Sequence, residues 1–308
     1  MTTPHEPSMS AAETAGGEAS GRIFDLGYQR YEGAREGRRR AVIAIWRDSV
    51  RGTLGLGRST GIKVLAYGTI TLALFPAIFI VVVAGFISSF GEAVDLDEFL
   101  GGLSNRGYYR FAIWPLTLFV AILGPELLCP DRRSQTIVLY LVRPLRPRDY
   151  LAARWSGFLT VTMVVLLLPQ AMVFVALGFT SSDVFDWLGD NADIIPRAIA
   201  SGLVVGLVLT TVAMAISSMT DRRAYAVAGI VATVLITWAI SDAGVNLASG
   251  RTADFFELIR FGGVLQVNDW LFDDFDGELG AQWYALTSAA IVVGGALFMQ
   301  GRYRKIKL

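Results

Sequence analysis

The chain has 308 residues, of which 53% are hydrophobic and 18% are charged, and its mean hydropathy is +0.49. A soluble surface for a chain of this length needs more charge, so the composition argues against a soluble protein. The net charge of +0 argues against a nucleic-acid-binding protein, and one cysteine and one histidine leave almost no ligands for a zinc site.

The polar start of the chain, residues 1–21, is predicted to be a disordered cytoplasmic tail. It is rich in Ser, Thr, Ala, Gly, Glu and Pro, and it lacks the basic and then apolar regions of a signal peptide. Residues 22–63 follow as a basic segment that leads to the first long apolar stretch.

A stripe of arginines predicts an amphipathic helix within residues 22–63. Spacings of 7, 4 and 7 residues place four arginines on one side of a helix, and apolar residues occupy much of the other side. This pattern is typical of a helix in the membrane interface whose basic face meets anionic lipid headgroups. The alternative is a solvated basic linker to the first span. If the helix forms, nearby glycines are expected to end or break it. The stripe consists of Arg40, Arg47, Arg51 and Arg58.

Six apolar stretches are long enough to cross a bilayer, which takes about 18 residues or more. We therefore predict an all-α integral membrane protein whose transmembrane domain, residues 64–299, contains six transmembrane helices. The predicted spans are residues 64–86, 111–128, 157–177, 198–216, 224–240 and 283–299.

The distribution of charge predicts the orientation of these spans. Of the 27 basic residues, 22 lie before the first span, after the second, after the fourth or in the basic tail, residues 300–308. Because basic residues near a span accumulate on the cytoplasmic side, the N and C termini are both predicted to be cytoplasmic. The external loop 241–282 is acidic except for an apolar cluster, which suits either a short helix dipping into the outer leaflet or a packed cap over the bundle.

The chain carries few residues that could support catalysis. Gly52, Gly57, Arg58 and Ser59 match a phosphate loop except that arginine replaces lysine, and no buried strand is expected before them, so nucleotide binding by this chain is not predicted. No metalloprotease motif and no serine–histidine pair occurs in the spans. We therefore expect no enzymatic activity in this chain.

Two features of the spans have two interpretations each. Glu126 is the carboxylate that lies inside an apolar stretch, and it is either part of an ion pathway or a boundary residue paired with a nearby arginine. Gly202 and Gly206 form a G-x-x-x-G pattern that serves either close helix packing or a hinge.

The segment after the second span, residues 131–150, is predicted to contain a docking helix. Pro130 is expected to end the span and Asp131 to cap the new helix, which Pro144 would stop. A short helix with apolar and tyrosine side chains between arginines suits the docking of a soluble partner. The alternative is that the arginines only satisfy the preference for positive charge in the cytoplasm.

Several motifs follow one another at the end of the second span and after it. They are Pro125-Glu126, Asp131-Arg132-Arg133, Leu139-Tyr140-Leu141, Arg143-Pro144-Leu145 and Tyr150. With these motifs the sequence resembles the ABC-2 type permeases, the membrane subunits of bacterial ATP-binding cassette exporters. The similarity extends to a run near the N terminus, residues 25–33, and to the layout of six spans.

The resemblance implies that the segment 131–150 is a coupling helix that docks on a cytoplasmic ABC ATPase subunit. It also implies a second permease, identical or different, a bacterial inner-membrane location, and no cofactor in this chain, since ATP and Mg are bound by the ATPase. Substrates across the family include drugs, peptides, lipids and polysaccharides. The residues expected at the docking site are Glu126, Asp131, Arg132, Arg133, Leu139, Tyr140, Arg143 and Tyr150.

The leading hypothesis is therefore the permease subunit of an ATP-driven exporter. One alternative is a secondary transporter driven by an ion gradient, and the scarcity of charged residues in the spans argues against it. Another is a membrane scaffold or immunity protein that transports nothing. A co-purifying ATPase would distinguish the first hypothesis from the other two.

Overall fold

The computed structural model describes residues 37–88, 105, 107–136, 145–181, 183–261 and 263–304. The predicted tail 1–21 and the run 25–33 lie outside the described residues. Within the described parts of the chain, all regular structure is helical. The helices are α1 Arg38–Thr53, α2 Thr60–Ser88, α3 Tyr108–Arg133, α4 Pro147–Thr180, α5 Val184–Asp190, α6 Ile194–Ser217, α7 Arg223–Leu247, α8 Arg251–Ile259, α9 Val264–Leu271 and α10 Ala281–Arg304.

Six of these helices, α2, α3, α4, α6, α7 and α10, are long and apolar enough to cross a membrane. Each contains one of the predicted spans, so the prediction of six membrane-spanning helices is confirmed. The helices extend beyond the predicted spans because polar residues continue the helix after the apolar stretch ends. α7, for example, runs to Leu247, past the predicted end at residue 240.

The six spans are buried to very different degrees. In α3, 72% of the apolar window is buried inside the protein, whereas the values for α2, α7 and α10 are 28%, 22% and 17%. α3 is therefore the central helix, packed against α2, α4, α6 and α7. The three most exposed spans present apolar side chains outward, as helices in contact with lipid do.

Glycines allow the central helices to approach closely. A Cβ atom on Gly202 would lie 2.8 Å from the Tyr109 hydroxyl oxygen, and one on Gly206 would lie 2.9 Å from Met163 Sδ. Real Cβ atoms rarely come so near to other side chains, so both glycines are occupied in packing. Of the two interpretations of the G-x-x-x-G pattern, these contacts support packing.

The expectation that Pro130 ends the second span is wrong. α3 contains Pro115, Pro125 and Pro130 and continues to Arg133. It ends at Ser134, whose backbone N–H donates to the Pro130 carbonyl (2.9 Å), and at Gln135, which has a left-handed φ of 53°. Proline is tolerated in such helices because neighbouring groups satisfy the freed carbonyls. Asp131 therefore lies inside α3 and does not cap a new helix.

The predicted amphipathic helix corresponds to α1, which ends earlier than the arginine stripe does. α1 ends at Thr53, and Gly55 and Gly57 follow with φ of 71° and 79°, so the glycines end the helix as expected and Arg58 lies outside it. Arg40, Arg47 and Arg51 are exposed on α1.

The other face of α1 packs on protein rather than being fully open. Ile45 and Ser49 are buried, and Val42, Trp46 and Val50 are partly buried against the core. Ile43 remains exposed. The apolar side that was predicted to lie in the membrane interface is therefore used largely for contact with the bundle, mainly with α4.

The loop 241–282 forms the two short helices α8 and α9. α8 packs on α7, and the Phe256 ring lies so close to Gly244 that a Cβ there would be 2.1 Å from the ring. Phe255 points outward and is exposed. The contact made by Phe256 therefore supports the second interpretation of the apolar cluster, a packed cap over the bundle.

Candidate functional site

The end of the bundle where α3 ends and α4 begins holds most of the predicted site residues, and we call it the α3–α4 end. α1 lies across α4 there. Trp46 Nε1 donates to Thr160 Oγ1 (3.3 Å). At Gly157 a Cβ atom would lie 2.6 Å from Ser49 Cβ, so the two helices can be this close only because residue 157 lacks a side chain.

Arg154 on α4 is the centre of a buried ionic cluster at this end. Its Nη1 donates to Asp48 Oδ2 on α1 (2.7 Å), and its Nη2 donates to Asp131 Oδ2 on α3 (2.6 Å). The Tyr150 hydroxyl donates to the same Asp131 oxygen (2.5 Å). A buried guanidinium must be paired because leaving one uncompensated costs several kcal/mol. We call Asp48, Asp131, Tyr150 and Arg154 the clamp.

The last span joins the clamp through aromatic contacts. The rings of Tyr150 and Tyr303 stack with centroids 6.1 Å apart, and the Arg154 guanidinium carbon lies 5.6 Å from the Tyr150 ring centroid. Tyr303 is in the last turn of α10. The clamp therefore links α1, α3, α4 and α10 at one end of the bundle.

A second ionic contact ties the start of α1 to the start of α4. Arg38 donates two hydrogen bonds to the Asp149 carboxylate, at 2.8 and 2.7 Å, and Asp149 also accepts from the Arg146 backbone N–H (3.0 Å). The ion pair holds the pKa of Arg38 above its ordinary value. Because the Arg38 side chain is exposed, this ion pair contributes little to stability. Its effect is to hold the start of α1 next to the start of α4.

The end of α3 also holds the turn between α6 and α7. Glu126 Oε1 lies 2.6 Å from Arg223 Nη1, Arg58 Nη2 donates to the Glu126 carbonyl (3.2 Å), and Arg132 donates to the Ser218 carbonyl. Glu126 thus has an arginine partner, as the boundary interpretation requires. These contacts fix the α6–α7 turn against α3.

The predicted docking residues therefore divide into three groups. Those that contact other parts of this chain are Glu126, Asp131, Arg132 and Tyr150. Arg133 is exposed at the end of α3. Three others, Leu139, Tyr140 and Arg143, lie outside the described residues.

Sequence reasoning missed the roles of Arg154 and Asp48. From the sequence, Arg154 is only one of several basic residues that indicate the orientation of the spans in the membrane. A more specific signal was present, because Arg154 lies one helical turn after Tyr150 and just before an apolar span, where a charge requires a partner. The partner on α1 could not be identified, since no local spacing relates Asp48 to Arg154.

The segment that matches a phosphate loop does not have the structure of one. It begins with Gly52 in the last turn of the helix α1 rather than after a strand, and Arg58 donates to the Glu126 carbonyl. Among the described residues, no group of His, Cys, Asp and Glu side chains is arranged to hold a metal ion.

Six helices that are long and apolar enough to cross a membrane define a multi-pass helical membrane protein, and the clamp lies at one end of their bundle. Residues 67–254, which are more than half of the chain, match the family described as ABC-2 family transporter protein. The chain belongs to this family, and its role is that of a permease, a membrane component of transport. No curated protein shows significant similarity to the chain.

Proposed function

We propose that the chain is the permease subunit of an ATP-driven exporter and that the segment 131–150 docks on a separate cytoplasmic ABC ATPase. One observation carries this proposal. Asp131 and Tyr150, at the two ends of the segment, are hydrogen-bonded to each other at 2.5 Å. A segment whose ends are joined in this way moves together with the helices that carry it.

The clamp supplies a route from the docking segment to the rest of the bundle. A partner that displaces residues 131–150 acts on Asp131 and Tyr150 together, and Arg154 links both to Asp48 on α1. An ATPase that binds one arrangement of these helices more tightly than another shifts the permease toward that arrangement. Closure of the ATPase would then alter the packing of α1, α3 and α4 as a unit.

The remaining parts of the assembly follow from the same proposal. The ATPase binds ATP and Mg, and this chain contributes neither site. A second permease, identical or different, packs against this one. Membrane lipids cover those outward faces of α2, α7 and α10 that the second permease does not contact. The α3–α4 end, with both termini, faces the cytoplasm of a bacterial cell and the spans lie in its inner membrane, because the basic residues are concentrated at that end.

The direct test removes apolar anchors from the docking segment. Leu139→Ala with Tyr140→Ala should reduce ATPase co-purification about tenfold or more, because truncation of central interface residues typically costs about 2 kcal/mol or more. The matched control is Leu56→Ala with Met219→Ala, which removes two exposed apolar side chains from the same end of the bundle. Full retention of the ATPase by the first variant, at normal membrane levels, would contradict the docking role.

The two neighbouring arginines should respond differently to charge reversal. Arg133→Glu should slow association with the ATPase and increase its sensitivity to salt, since Arg133 is exposed and rim charges act in this way. Arg132→Glu should instead lower the melting temperature of the isolated permease, because Arg132 binds the Ser218 carbonyl. Identical behaviour of the two variants would contradict this assignment.

A further inference from the structure

A cavity of about 300 Å³ lies at the end of the bundle opposite the clamp. It is formed by the first turns of α3, the second half of α7 and the short helices α8 and α9. Its volume is at the lower end of the range found for small-molecule sites. Apolar walls come from Ile113, Phe261 and Leu265.

Two tryptophans form an aromatic wall of this cavity. Trp114 on α3 and Trp238 on α7 meet edge to face with ring centroids 5.8 Å apart. They are 40% and 39% exposed, so part of each ring faces the cavity and is free to contact another molecule. Such rings provide a large apolar contact area at fixed geometry.

Arg260 supplies a cation that the protein pairs only weakly. Its guanidinium carbon lies 5.9 Å from the Trp238 ring centroid, and its nearest carboxylate oxygen among the described residues, Asp242 Oδ1, is 3.9 Å from Nη2. The Arg260 Nε atom is buried and has no hydrogen-bond partner within the described chain. Arg110, which also lines the cavity, is by contrast bound to Asp269 at 2.7 Å.

Two further polar atoms of the lining are buried and lack partners within the described residues. These are Thr117 Oγ1 and Gln266 Oε1, whereas Gln266 Nε2 donates to Glu257 Oε2 (2.7 Å). Buried polar groups are rarely left unpaired in native proteins, and each such group calls for a partner. Arg260, Thr117 and Gln266, the residues that carry these unpaired atoms, all line the same cavity.

We propose that this cavity binds an amphipathic anion, with its apolar body against Trp114 and Trp238 and its acidic group on Arg260. The ligand carries one carboxylate, sulfonate or phosphate and an aromatic or acyl part of small size. Two sources share this chemistry, an anionic membrane lipid and a free amphiphile. The inference does not rest on ATPase docking, because the site lies within this chain at the other end of the bundle.

The test uses the full chain in nanodiscs of zwitterionic phosphatidylcholine and the fluorescent anion 8-anilinonaphthalene-1-sulfonate. We expect a saturable component of one probe per chain. Arg260→Gln should weaken it about tenfold, because the variant removes the charge-assisted hydrogen bonds that the guanidinium would donate to the sulfonate. The matched control Arg251→Gln neutralises an exposed arginine outside the cavity, at the start of α8, the helix that Arg260 directly follows, and should bind as the wild type does.

A second pair of variants guards against loss of folding in Arg260→Gln. Trp238→Leu should weaken the probe about fivefold, whereas Trp283→Leu changes an exposed tryptophan away from the cavity and should have no effect. The neutral analogue N-phenyl-1-naphthylamine should not distinguish Arg260→Gln from the wild type. The proposal is overturned if the wild type shows no saturable binding of the probe. It is also overturned if Arg260→Gln and Trp238→Leu both bind the probe as tightly as the wild type does, at unchanged melting temperatures.

Nanodiscs that contain phosphatidylglycerol identify the source of the ligand. If the occupant is a lipid, phosphatidylglycerol should displace the saturable probe from the wild type, and this lipid effect should disappear in Trp238→Leu. If the occupant is a free amphiphile, the probe should bind equally in both kinds of nanodisc and be displaced by decanoate. Either result supports an anion site in this cavity.

Discussion

Arg154 Nη2 lies 2.6 Å from Asp131 Oδ2, and the same carboxylate oxygen accepts a hydrogen bond from the Tyr150 hydroxyl, with the two oxygens 2.5 Å apart. One acceptor thus joins the last turn of α3 to the first turns of α4. The sequence separates Asp131 from Arg154 by 23 positions, so the bond joins two helices through residues that are distant along the chain.

The members of the clamp should contribute unequally to stability. The Arg154 side chain is 3% exposed, whereas those of Asp131 and Asp48 are 16% and 65% exposed. Asp131→Asn should destabilise the protein by about 3 kcal/mol, because it removes the better buried partner of a buried charge. Asp48→Asn should cost about 0.5 kcal/mol or less, as exposed ion pairs do.

Thermal unfolding of the detergent-solubilised variants measures this order. Arg47→Gln serves as the control, since Arg47 is exposed on α1 and outside the clamp. Equal melting temperatures for Asp131→Asn and Asp48→Asn would show that burial does not determine the strength of these pairs.

The close contact of α1 with α4 should depend on Gly157. Gly157→Ala places a Cβ atom 2.6 Å from Ser49 Cβ and 2.9 Å from the Trp46 carbonyl oxygen, and such overpacking costs about 1–3 kcal/mol. We expect faster tryptic cleavage within α1, whose arginines become more accessible as the helix separates from α4. Gly68→Ala is the matched control, because nothing lies within 4 Å of a Cβ at that position of α2. Unchanged cleavage in Gly157→Ala would contradict the contact.

The helices and the clamp differ in how far the sequence predicts them. Each span is a local property, since about 20 consecutive apolar residues suffice to define it, and all six were predicted in place. The continuation of α3 through Pro130 was not predicted, because local rules treat proline as a stop and the contacts that stabilise Asp131 come from α4. Partners such as Asp48 and Arg154 are 106 positions apart, and only the packing of α1 on α4 brings them together.

The purified chain alone should neither bind nor hydrolyse ATP. Arg58 occupies the position of the lysine in the phosphate-loop match, but its guanidinium donates to the Glu126 carbonyl (3.2 Å). Arg58→Ala should therefore lower stability by about 1 kcal/mol through the lost hydrogen bond and leave nucleotide affinity unaltered. Equilibrium dialysis with labelled ATP and a melting curve measure the two effects. Saturable ATP binding by the wild-type chain that is lost in Arg58→Ala would contradict this prediction.

Thiol labelling should show the two ends of the bundle on opposite sides of the membrane. In a Cys129→Ala background, a cysteine at Gly189 of α5 should react with an impermeant reagent in intact cells, and one at Ser134 should react only after lysis. Both positions are exposed, so the difference reports the side of the membrane and not burial. Labelling of position 134 in intact cells would reverse the orientation and remove the coupling segment from the cytoplasm.

Binding of the anion in the cavity should strengthen as the pH falls. Burial raises the pKa of Glu257 above the ordinary range of a glutamate, although the hydrogen bond from Gln266 and the charge of Arg260 act in the opposite direction. Asp254 and Asp269 also face this carboxyl group and raise its pKa further. Since the carboxyl repels an anion only when it is ionised, protonation on passing below the raised pKa removes a negative charge from the cavity.

The anilinonaphthalene sulfonate remains ionised throughout, so a pH dependence of its affinity reports on the protein. We expect its dissociation constant in phosphatidylcholine nanodiscs to fall by about tenfold as the pH is lowered through the raised pKa of Glu257, the size of effect that one charge produces at short range. Glu257→Gln mimics the protonated carboxyl and should bind at neutral pH as the wild type does in acid, with no further change. A pH dependence retained in full by Glu257→Gln would assign the titration to another group.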